Sequence, residues 1–96
     1  MGETRHRELE VWKRAIGLVK KIYQITKDFP VEERYGLIDQ IRRAAVSVAS
    51  NIAEGSGRQT PKDFVNFLSM ARGSLAELDT QMVIAKELGY VSDIMV

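Results

Sequence analysis

No cysteine occurs among the 96 residues, which excludes disulfides, thiolate metal sites and cysteine nucleophiles and suits a reducing cytoplasm. There is one histidine, His6. It lies in a polar, aperiodic stretch, residues 1–7, that is expected to fray and offers no carboxylate spaced to fix an imidazole tautomer, so a serine or threonine nucleophile working through histidine is not expected. The Glu-x-x-His pairs that build metal centres in helical bundles are also missing. No metal, cofactor or small-molecule substrate is therefore expected, and the chain reads as a protein that is not an enzyme. No apolar run approaches the roughly 20 residues needed to cross a bilayer, and residues 1–10 are charged rather than signal-like, so no membrane association and a cytoplasmic protein are expected.

Prolines are scarce, two in all, and both punctuate. Residue 29, before Pro30, is pushed away from helical angles, and Pro61 follows Thr60 as a first-turn proline follows a cap. Between and beyond them the apolar residues recur at helical spacing. A single all-α domain spanning residues 1–96 is expected, an antiparallel up-down bundle of the four-helix type with helices at about 8–27, 37–54 and 61–88 and a short turn at 31–35.

In the first helix two apolar series run in parallel: Leu9, Trp12, Ile16, Val19, Tyr23 and Val11, Ala15, Leu18, Ile22, Ile25. Together they make a face wide enough for two neighbours. The second helix carries Leu37, Ile41, Ala44, Val48 and Ile52 on its core side, with Gly55 placed to close it in a left-handed conformation. A polar row, Gln40, Ser47, Asn51 and Glu54 with Arg43 beside it, runs alongside. The third helix steps through Phe64, Leu68, Ala71, Leu75, Leu78, Met82 and Ala85 without a break, and Gly89 is placed to end it. Ser74, Glu77 and Gln81 flank its core row. The two polar rows are expected to face each other as an inter-helix layer, with Arg43 or Arg72 opposite Glu77; the alternative is a ligand or catalytic site among Arg43, Asn51 and Glu54. Ser92-Asp93 looks like the start of a fourth helix of which only residues up to 96 are present, so the groove between helices one and three is expected either to mark a truncation or to be covered by another copy.

Many spaced residues also carry a resemblance: Gln40 to Ala45, Asn51-Ile52-Ala53-Glu54-Gly55 and Arg58 at the centre, Trp12, Ala15, Tyr23, Phe29-Pro30, Glu33 and Tyr35-Gly36-Leu37 before it, and Phe64, Phe67-Leu68, Ala71, Gly73-Ser74-Leu75, Glu77-Leu78, Thr80-Gln81 and Leu88-Gly89-Tyr90 after it. In these the chain resembles the proteins encoded in intervening sequences of bacterial 23S rRNA genes. The resemblance implies an antiparallel four-helix bundle assembled into a ring-like homopentamer. It implies no catalytic residues. A similar accessory protein of diversity-generating retroelements suggests nucleic-acid binding through basic surfaces, an analogy at the level of fold.

Charge supports that direction modestly. Residues 1–27 hold seven Lys or Arg against three Glu, and residues 28–96 hold seven against ten acids. The candidate nucleic-acid-binding residues are Lys13, Arg14, Lys20, Lys21 and Lys27 on the first helix, with Arg42 and Arg58. Repeated around a homo-oligomer, such a stripe would neutralise several phosphates of RNA or DNA with little sequence preference. No aromatic residue interleaves with it, so contact with structured RNA or duplex is expected rather than base stacking. The loop Gly55-Ser56-Gly57-Arg58 lacks the spacing and Lys-Ser/Thr ending of a phosphate loop and is read as a helix stop, although Arg58 beside the amides of residues 60–62 could hold a phosphate weakly. The competing function is a protein-interaction scaffold or adaptor without nucleic-acid binding, its lysine stripe merely solvated.

Overall fold

The computed structural model describes residues 2–92. Its frame is three α-helices, α1 (Glu10–Thr26), α2 (Leu37–Ser56) and α3 (Pro61–Glu87), joined in antiparallel up-down order. The molecule measures 44 Å along its longest axis, close to the roughly 40 Å of a 27-residue helix at 1.5 Å per residue, so α3 sets its length. The expected helical start at Ser92-Asp93 runs into residues 93–96, outside the described residues.

α2 is the middle of the structure. Both α1 and α3 pack on it, and no Cα of α1 comes within 8 Å of a Cα of α3. That is the geometry of an up-down bundle in which first and third helices are diagonal, with no helix in the fourth position among the described residues. Two apolar clusters fill the seams. One joins Ile22, Phe29, Ile41, Leu78 and Met82; the other joins Ala15, Val48, Ile52 and Ala71, with Trp12, Ile16 and Leu68 against it. Alanines 44, 45 and 49 are buried on α2, and their small side chains let the neighbouring backbones close in on both sides.

Helix ends follow local chemistry. The Thr60 hydroxyl accepts the Asp63 amide at 3.1 Å, with Pro61 in the first turn. At the far end Gly89 takes φ +82°, its amide donates to the Lys86 carbonyl and that of Tyr90 to the Ala85 carbonyl, the paired bonds that close a helix on a left-handed residue. The chain then turns back, so that Tyr90 packs beside Phe29 with ring centroids 5.5 Å apart.

Two expectations are corrected. Gly55 does not close α2: the helix continues to Ser56, and Gly89 is the only described residue with positive φ. Gly55 is instead a point of close approach, since a Cβ there would lie 2.6 Å from the Phe67 Cβ and 2.9 Å from Phe64 Cδ1. Nor is the N-terminal stretch without form. Residues Gly2–Glu8 make 3₁₀ turns that fold back toward the end of α2, and the His6 ring meets Trp12 edge-on at 5.1 Å, an apolar partner that charge and periodicity alone do not reveal.

Candidate nucleic-acid interface

The basic residues of α1 follow from its register. Lys13, Lys20 and Lys27 recur every seven residues, which sets them on one line about 10 Å apart, and all three are exposed. Arg14 and Lys21, also exposed, form a second line about 100° around the helix. Arg14 sits 3.7 Å from Glu10. The sequence-predicted stripe is therefore two stripes on different flanks, and only the first lies toward α2.

Arg42 reaches that flank from α2. Its Nε donates to the buried Thr26 hydroxyl at 2.9 Å, its Nη2 to the Tyr23 carbonyl at 3.4 Å, and its guanidinium lies 4.3 Å over the Tyr23 ring. Thr26 can accept because its own hydroxyl proton is given to the Ile22 carbonyl at 2.8 Å. Arg58 is far from this cluster, at the opposite end of α2. It pairs with Glu54 at 3.0 Å and stacks 4.7 Å over Phe67, and it shares a cleft of about 170 Å³ with Arg5 and Thr60.

The polar rows meet at one point. The Ser47 and Ser74 hydroxyls are 2.8 Å apart across the α2–α3 seam, and the Asn51 amide donates to the Ser47 carbonyl and hydroxyl at 2.9 and 3.1 Å. The charged members do not cross the seam. Arg43 pairs with Asp39, one turn back, at 3.0 Å, Glu77 accepts from Gln81 at 3.3 Å, and Gln40 is exposed. Neither Arg43 nor Arg72 stands opposite Glu77. A carboxylate four residues away on the same helix is nearer to Arg43 than any across the seam, while Arg72 lies five residues from Glu77, about 140° around α3, in a hollow with Leu75, Ala76 and Asp79. Gln81 is buried and its Oε1 has no partner among the described residues.

Sequence reasoning missed a trough along the outer seam of α1 and α2. One part, about 600 Å³, is lined by Tyr23, Arg34, Ile38, Arg42 and Arg43. The other, about 310 Å³, is lined by Trp12, Ile16, Val19, Ala49 and Ala53. Val46 and Ser50 belong to both, so the two run together. Lys20 and Lys27 each follow a lining residue, Ile16 and Tyr23, by four positions and so stand on the adjoining shoulder. Arg34, in the short turn at 31–35, carries no sequence signal that marks it as part of this trough.

Among the described residues no group of three or more His, Asp or Glu gathers as a metal ion would need, and no helix is long and apolar enough to cross a membrane. No curated protein matches the chain. The family model described as 23S rRNA-intervening sequence protein matches residues 7–96, a span that includes all three helices, and the chain belongs to that family.

Proposed function

We propose that this protein is a non-enzymatic helical bundle that self-associates and binds nucleic acid, structured RNA first, through the basic outer face of α1. One observation carries the reading: Lys13, Lys20 and Lys27 form an exposed line with no acid in it, joined near its end by the fixed guanidinium of Arg42. Three lysines per subunit are a weak grip. Repeated around a homo-oligomer, a pentamer by family resemblance, they become a multivalent one. Self-association is supported by exposed Leu75, Val83 and Ile84 on α3 and Leu88 just after it. The family's name refers to an rRNA intervening sequence, which agrees with an RNA partner.

The test is fluorescence anisotropy with a labelled RNA hairpin. Three phosphates neutralised per subunit predict that affinity falls by roughly 40-fold per engaged subunit between 50 and 200 mM salt, and that Lys13→Glu with Lys20→Glu removes binding while leaving the fold intact by circular dichroism. Absence of binding at low salt, or binding indifferent to salt and to charge reversal, would overturn the proposal. A second reading, a protein-interaction scaffold, rests on the hollow of about 390 Å³ around Leu75 on α3. It would be favoured if charge reversal on α1 left partner binding untouched while Leu75→Glu abolished it.

A further inference from the structure

The trough between α1 and α2 combines two features that a duplex partner would not use together. Its Trp12, Ile16, Val19 and Val46 half is apolar, and its Arg34, Arg42 and Arg43 half is cationic, with Asp39, already paired to Arg43, as the one acid in the lining. A duplex presents its sugar-phosphate edges outward and keeps its bases stacked, so it would leave the apolar half in water. An unpaired strand offers both chemistries, a phosphodiester for the arginines and a base face for the apolar floor.

Resting on the nucleic-acid reading above, we infer that this trough receives an unpaired stretch of RNA, its backbone held at Arg34 and Arg42 and a base laid against Trp12 and Val46. Arg42 is prepared for that role. Guanidinium carries five N–H donors, of which the Thr26 hydroxyl and Tyr23 carbonyl take two, and those bonds together with the Tyr23 ring fix its plane before any ligand arrives. Lys20 and Lys27 on the α1 shoulder follow the same strand. Trp12 and Tyr23 border that line on α1 itself, Tyr23 one turn before Lys27, and the packing of α2 on α1 makes them one wall of the trough.

Trp12 is the only tryptophan in the chain, so its emission reports on the trough in the unmodified protein. The experiment titrates the protein at low salt with single-stranded oligouridylate of about a dozen nucleotides, a length within the range such grooves accommodate, and in parallel with an RNA duplex of equal length, following both Trp12 emission and anisotropy of the labelled nucleic acid. The expected result is quenching of Trp12 by the single strand and duplex binding without quenching. Val46→Glu, at a position 41 % exposed and so tolerated by the fold, is expected to weaken single-strand binding on the order of tenfold or more, the scale of one lost base contact, with a much smaller effect on the duplex. If both nucleic acids bind but Trp12 emission is unmoved and Val46→Glu discriminates nothing, the trough assignment is overturned while the basic-face reading stands. If neither binds at low salt, both fall. If Trp12 emission follows protein concentration and ignores RNA, a second copy occupies the trough and the assignment is likewise overturned.

Discussion

The Tyr90 hydroxyl donates a 2.8 Å hydrogen bond to Oε2 of Glu33, 57 residues earlier in the chain. The other oxygen, Oε1, accepts the Leu37 amide at 3.1 Å. One carboxylate thus caps the start of α2 and ties it to the segment that follows α3. The Leu37 amide, and after it the Tyr90 hydroxyl, hold the Glu33 carboxyl below the usual carboxylate range. The Tyr90 phenol is pushed up, chiefly by the bond it gives to Glu33, then by burial and by the negative charges of Glu33 and Glu32.

These shifts set a pH window. A carboxyl lowered by folding adds stability that is present above its ordinary range and lost as pH falls through the lowered value; a phenol raised by folding adds stability that is present below its ordinary range and lost as pH rises through the raised value. Thermal melting followed across pH should therefore show a plateau with an acid and an alkaline arm. In Tyr90→Phe the part of the alkaline arm due to Tyr90 should vanish, and the Glu33 titration, followed by carboxyl NMR, should move up toward the ordinary range without reaching it, because the Leu37 amide remains.

Gly55→Ala should destabilise the protein by about 1–3 kcal/mol, the usual cost of forcing an extra methyl into a packed seam, because its Cβ would strike Phe67 and Phe64. Gly17→Ala, at a helical position with nothing within 4 Å of the added carbon, should instead stabilise by about 0.5–1 kcal/mol. Urea unfolding of the two variants measures both, and equal effects of the same sign would contradict the close approach of α3 to Gly55.

Thr26→Val keeps the shape of a fully buried side chain but removes the hydroxyl that bonds Ile22 and Arg42. A loss of about 1 kcal/mol is expected, the net worth of a hydrogen bond. Arg42→Ala in the same background should then cost less than it does alone, since the two share one interaction. A double-mutant cycle by chemical denaturation tests the coupling.

Gln81→Met should raise stability by about 1 kcal/mol. The buried Oε1 of Gln81 has no partner among the described residues, and an unsatisfied buried acceptor carries a desolvation cost that a thioether of similar length avoids. If melting temperature falls instead, and the drop is larger at high protein concentration, Gln81 bonds a neighbouring subunit.

Much of this architecture is legible in the sequence because the helical period writes it there. Ile41, Ala44, Val48 and Ile52 fall on one side of α2 by spacing alone, and Thr60-Pro61 and Gly89 mark ends through properties of single residues. Gly55 is different. A glycine near a helix end is equally suited to a left-handed cap and to a close contact, and only the register that brings Phe67 against it decides. The Asp39–Arg43 pair was visible as a spacing of four, yet the parallel polar rows drew attention to partners across the seam. Trp12 and Val46 stand 34 positions apart, and nothing local to either announces that they border one depression; that knowledge exists only once α1 is docked on α2.

Since the backbones of α1 and α3 each approach α2 and not each other, the helices do not share the task of cohesion equally. Loss of either outer helix would strip part of the shared Ile22–Ile41–Met82 cluster but leave one seam with α2, whereas loss of α2 would dissolve both seams. Its backbone amides between Ile41 and Ile52 should be the last to exchange with deuterium, and a strand or neighbouring subunit that grips one flank of α2 will slow the exchange of the opposite flank without touching it.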